Sequence, residues 1–114
     1  MGFKDEYNLE NRKSESNKIL FKYPTRIPII VEKGYNCDLP DISKKKYLVP
    51  KDMTMSQFLY VIRKRIDLEP SKSLFIMVNN NLVPSAKSLG VIYEDDQDED
   101  GFLYMVYTAE NTFG

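Results

Sequence analysis

Histidine is absent from the 114-residue chain, and cysteine occurs once, as Cys37. Without an imidazole there is no Ser-His or Cys-His pair, and Cys37 lacks the base that activates a catalytic thiol. The chain also lacks a C-x-x-C pair and a glycine-rich phosphate-binding loop. An enzyme is therefore not expected, and no cofactor is implied. One cysteine cannot close an internal disulfide, which points to a reducing compartment. The opening "MGFKDEYNLE" has no apolar signal core, no run reaches membrane-spanning length, and no N-x-S/T acceptor occurs. Gly2 invites myristoylation, but Glu6 stands where that motif wants Ser or Thr. A cytoplasmic protein is the expectation.

What is present describes an ordinary globular domain. With 42% hydrophobic and 29% charged residues, the chain can bury a core without a metal or disulfide. The net charge of −1 hides a segregation: residues 1–93 carry all 16 Lys and Arg against 10 acids, whereas residues 94–114 carry 7 acids and no base. The basic runs Lys44–Lys46 and Arg63–Arg65 are short and lack interleaved stacking aromatics, so nucleic acid is not an expected partner.

Hydrophobic spacing sets the element order. Phe3, Tyr7, Leu9, Ile19, Leu20 and Tyr23 thread a polar segment ended by Pro24, which predicts one or two short amphipathic helices. "RIPIIVEK" (26–33) reads as a strand with Ile27, Ile29 and Val31 on one face and Pro28 and Ile30 on the other, so both faces need covering. A loop leads to a second strand, "KYLVP" (46–50). Thr54 and Gln57 form a capping box for the helix "MSQFLYVIRKRI". Its wheel places Met55, Leu59, Ile62 and Ile66 in a core stripe, with Phe58, Val61 and Arg65 on a shoulder. "LFIMV" (74–78), a turn at "NNN", a short helix near "SLGVIYED" and "FLYMVYT" (102–108) complete the chain.

"DQDEDG" (96–101) imitates the first half of a calcium loop, but Tyr107 occupies the twelfth position, where a bidentate Glu is required. A solvated acidic turn before a strand is expected, and no metal site.

Two strands, a helix and two more strands is the order of the ubiquitin-like β-grasp, an α+β roll, here with two additional N-terminal helices. Residues 1–114 are expected to form one domain, with residues 1–24 a helical extension and 109–114 a flexible tail. The tail ends "ENTFG" directly after an apolar strand, and a terminal glycine becomes informative if its carboxylate reacts.

"KDEYNLENRKSES", "RIPIIVEK", "KKKYLVP", "FLYVIRKRI" and "DEDGFLYMVYTAENTFG" together resemble the autophagy-related ubiquitin-like modifiers, the family of GABARAP and microtubule-associated light chain three. The resemblance is colinear over essentially the whole chain. It implies that Gly114 is activated as a thioester by activating and conjugating enzymes and attached to phosphatidylethanolamine on autophagosomal or related membranes. A cysteine protease for precursor processing or delipidation is implied as well. Whether Gly114 is exposed natively or by processing or truncation stays open.

The resemblance further implies receptors with aromatic-x-x-aliphatic motifs, added as a strand along "KKKYLVP". The aromatic pocket carries over to Glu15, Ile19, Pro28, Ile30, Lys46, Leu48 and Phe102. The aliphatic pocket carries over to Tyr47, Val49, Pro50, Met53, Phe58, Val61 and Arg65. A second interaction surface carries over to Leu74, Phe75 and Ile76. A monomer is expected in solution. The alternative is a non-conjugated β-grasp adaptor for tubulin or vesicle-traffic partners.

Overall fold

Residues 2–35 and 37–109 are described by the computed structural model. Its elements are helices α1 (Phe3–Glu6) and α2 (Leu9–Lys22), strands β1 (Arg26–Lys33) and β2 (Lys46–Pro50), helix α3 (Met55–Arg65), strands β3 (Phe75–Val78) and β4 (Asn81–Leu82), helix α4 (Leu89–Asp96) and strand β5 (Leu103–Thr108). The sheet runs β2-β1-β5-β3-β4. β1 and β5 lie parallel at its centre, and the other pairs are antiparallel.

The alternation read in β1 decides the layers. Ile27, Ile29 and Val31 join Leu103, Met105 and Tyr107 of β5 in the main core, closed by Met55, Phe58 and Ile62 of α3 and by Leu89 and Ile92 of α4. Ile30 points to the opposite face, where it meets Phe3, Phe102, Ile19 and Tyr104 in a second, smaller cluster. The two N-terminal helices are thus the cover for the other side of β1. Phe3 is its pin, its ring edge-on to Phe102 at 5.2 Å and its backbone N–H donating to the Glu32 carboxylate at 2.7 Å.

Local signals hold where chemistry is local. Thr54 accepts from the Gln57 N–H while the Gln57 side chain accepts from the Thr54 N–H, the reciprocal capping box that starts α3. Asn79 and Asn80 both adopt positive φ, 51° and 65°, the left-handed pair of a tight hairpin between β3 and β4. Strand β4, only two residues long, carries no periodic pattern and escapes sequence reading.

The helical wheel of α3 requires correction. Phe58 is wholly buried, whereas Leu59 is only partly so. The cause is Tyr47, whose ring meets that of Phe58 at 5.6 Å and 89°. This edge-to-face contact turns the buried stripe toward β2. The acidic turn is also not simply solvated, because Asp100 is 1% exposed.

Candidate docking grooves

Strand β2 is the sheet's edge, so its outward N–H and C=O groups form a template for an added strand. The residues expected for the aromatic pocket converge beside it. Pro28 lies opposite Leu48 and Ile30 opposite Lys46 across the β1–β2 pair, and α2 brings Ile19 onto the Ile30–Phe102 cluster. Ile30 and Phe102 are fully buried and form a floor, while Glu15, Ile19, Lys46 and Leu48 keep partial exposure as walls. An ion pair between Lys46 and Glu15 spans from β2 to α2, and the same ammonium stands 5.9 Å from the Phe3 ring.

Most of the aliphatic set gathers on the other side of β2, against α3, whereas Pro50 by strand alternation shares the face of Lys46 and Leu48. Tyr47, Val49 and Phe58 belong to the main core, and Met53 and Val61 pack on it while partly exposed. Pro50 is half-buried and Arg65 exposed. Burial pushes the Tyr47 phenol up from its ordinary range, opposed by the positive charge of Arg65. Lys44 places its ammonium 5.0 Å from the Tyr47 ring. The Tyr47 hydroxyl is buried and has no hydrogen-bond partner among the described residues.

The set Leu74, Phe75 and Ile76 divides between faces. Leu74 and Ile76 are in the main core. Phe75 is half-buried and, by strand alternation, faces the opposite side together with its cross-strand neighbour Thr108. Gly114 lies outside the described residues.

Known proteins match the chain along nearly its whole length. The family model described as autophagy protein Atg8, ubiquitin like, matches residues 11–114. The chain belongs to the Atg8 family. It is a ubiquitin-like modifier of autophagy. Autophagy-related protein 8B of rice is 58% identical over 112 residues, covering 98% of this chain and 94% of that protein. Autophagy-related protein 8d of Arabidopsis thaliana is 57% identical, covering 98% and 93%. The crystal structure of Trypanosoma brucei ATG8 superposes with a TM-score of 0.92 at 43% identity, covering 100% of this chain and 98% of that one. Plasmodium falciparum Atg8, solved in complex with an Atg3 peptide from the same organism, gives a TM-score of 0.92 at 35% identity, with 99% of each chain covered. Among the described residues of this Atg8 family member, no helix is long and apolar enough to cross a membrane.

The residues that sequence reading missed hold the walls in place. Asp100 accepts from Arg12 at 2.7 Å, from the Phe102 N–H at 2.8 Å and from the Tyr104 hydroxyl. Ser16 of α2 donates to the Asp100 carbonyl. The hydrogen bond from Arg12 to Asp100 raises the arginine's pKa, with burial opposing. Burial and the bond to Asp100 raise that of Tyr104. Next to it, Gly101 takes φ +90°, and a Cβ there would collide with Ser16. Asp98 loses solvent, which favours its neutral form, but Lys4 and the Asp100 N–H outweigh this and lower its pKa. Asp98 and Asp100 are therefore engaged by side-chain cations and N–H groups. No local motif announces the long-range half of this node, because Lys4, Arg12 and Ser16 are 84 to 94 residues from their partners in the loop.

Proposed function

We propose that this Atg8 family member is joined through the Gly114 carboxyl to the amine of phosphatidylethanolamine, and that the anchored protein gathers receptors bearing aromatic-x-x-aliphatic motifs. The observation that carries the docking half is edge strand β2 with an apolar floor on either side: Ile30 and Phe102 under one groove, Val49 and Phe58 under the other. An extended peptide places alternate side chains on alternate sides. Its aromatic residue is received between α2 and β2, its aliphatic residue between β2 and α3. Glu15, Ile19, Pro28, Lys46 and Leu48 complete the first groove; Tyr47, Pro50, Met53, Val61 and Arg65 complete the second. On the remaining surface, Phe75 is the member of its triplet with exposure to offer.

In the conjugation half, the lipid amine attacks the carbonyl carbon of a Gly114 thioester, the enzyme thiolate leaves, and an amide remains. Glycine suits a narrow enzyme channel because it has no Cβ. The partners follow: an activating enzyme, a conjugating enzyme and a cysteine protease for processing or delipidation. The Plasmodium relative's complex with an Atg3 peptide supports the second of these. The protein is soluble and monomeric before conjugation and anchored on autophagosomal or related membranes after it. Two acyl chains at about 0.8 kcal/mol per buried methylene make such anchoring stable.

Mass spectrometry of the endogenous protein tests the reading. A phosphatidylethanolamine adduct on Gly114 is the expected result. An unmodified terminus in every cellular fraction would favour an adaptor acting through its grooves alone.

A further inference from the structure

Phe21, near the end of α2, is 90% exposed. Its surroundings are predominantly basic: Asp52, beside Lys51, is the acid that lines the same hollow as Arg26, whose guanidinium also donates to the Leu48 carbonyl at 3.2 Å. Residues 16–31 contain Lys18, Lys22 and Arg26 and no acid, and Lys18 shares its helical face one turn earlier. The chain then folds back on itself: the Arg26 N–H donates to the Tyr23 carbonyl at 3.0 Å, and the Lys51 N–H donates to the Thr25 carbonyl at 3.2 Å. Lys51 thereby joins the same end of the molecule. Among the described residues, Lys18, Lys22 and Lys51 form no ion pair. Tyr23, itself 37% exposed, lies 5.5 Å from the Lys22 ammonium.

We propose that this end of α2 is a contact surface for an anionic lipid bilayer, with Phe21 entering the boundary between headgroups and acyl chains and Lys18, Lys22, Arg26 and Lys51 resting on the surface charge. A protruding aromatic flanked by cations is an arrangement that inserts at such an interface, because the long basic stems let their charges stay at headgroup level. The convexity selects the partner. An acidic peptide needs a concave pocket for an aromatic anchor, whereas a bilayer takes up a ring projecting from a helix. The surface lies at the other end of the sheet from the end of β5. β1 begins at Arg26 and runs parallel to β5, whose last residue, Thr108, lies beyond the level of Lys33 at the opposite end.

The chain contains no tryptophan, so Phe21→Trp supplies a single fluorescent reporter. The experiment uses the full, unconjugated chain with vesicles of phosphatidylcholine alone or mixed with phosphatidylserine. A blue shift of the reporter and a several-fold larger sedimented fraction are expected with the mixed vesicles. Both should fall at high ionic strength and in Lys18→Gln with Lys22→Gln. Phe21→Ser should lose vesicle binding several-fold at an unchanged melting temperature. An unshifted reporter, binding indifferent to phosphatidylserine, or full binding by Phe21→Ser would overturn the proposal. So would a shift produced by a polyglutamate peptide but not by vesicles.

Discussion

Arg12 and Asp100, 88 residues apart in sequence, meet at 2.7 Å, the aspartate side chain fully buried and the arginine nearly so. The pair ties the second helix to the loop that launches β5, and so fixes the wall of one groove to its floor.

Asp100→Ala removes the acceptor of the buried Phe102 N–H together with those of Arg12 and Tyr104. One buried donor left unmatched costs roughly 1–3 kcal/mol, and a loss of at least that size is expected. Urea denaturation measures it. An unchanged midpoint would contradict the role given to this node.

Gly101→Ala meets two obstacles, a left-handed backbone and the Ser16 hydroxyl. The backbone alone accounts for about 1–2 kcal/mol. Ser16→Gly in the same chain should recover only the steric part, because the φ requirement remains. Full recovery in the double variant would show that backbone strain is not involved.

Stability should decline in alkali. Burial pushes the Tyr107 phenol up to about 12, and its hydroxyl donates to the Pro40 carbonyl at 2.7 Å. The neutral phenol is favoured by folding, so this contribution is complete below the unfolded value of about 10 and is lost as pH rises through the folded one. Thermal midpoints should therefore fall between about pH 10 and 12, and less steeply in Tyr107→Phe. A midpoint flat across that window would oppose the assignment.

These outcomes divide according to how far apart the responsible residues lie. The alternation of Ile27, Ile29 and Val31 against Ile30 in β1 and the Thr54–Gln57 cap were legible because strand period and capping are properties of neighbouring residues. The helix wheel puts Phe58 on a shoulder because the ring that packs on it, Tyr47, belongs to another element. The sequence around Asp100 reads as a solvated turn because the partners that bury it from across the fold, Arg12 and Ser16, are on α2. For the grooves, most residues carried over by resemblance lie along the two faces at β2, with Pro50 on the face of Leu48 rather than that of Tyr47. Which of them are floor and which are wall needed the three-dimensional packing.

That distinction changes how the grooves are probed. Tyr47→Ala should destabilise the fold by on the order of 3 kcal/mol, as truncating a buried aromatic does, and cannot report binding alone. Leu48 and Ile19 are partly exposed walls. Leu48→Ala should weaken a Trp-x-x-Leu peptide about tenfold or more while leaving the melting temperature nearly unchanged. Calorimetry showing equal affinity for wild type and Leu48→Ala would remove β2 from the docking surface.

Reconstitution distinguishes Gly114 as the acyl donor from a terminus that is not conjugated. The full chain and a chain ending at Phe113 are each incubated with the activating and conjugating enzymes, ATP and liposomes containing phosphatidylethanolamine, and the fraction floating with lipid is measured in high salt, which screens purely electrostatic adsorption. A lipid-bound fraction is expected for the full chain only, with a mass increase of one phosphatidylethanolamine less water. Equal flotation of the two chains, or flotation without that adduct, would contradict the acyl-donor role of Gly114.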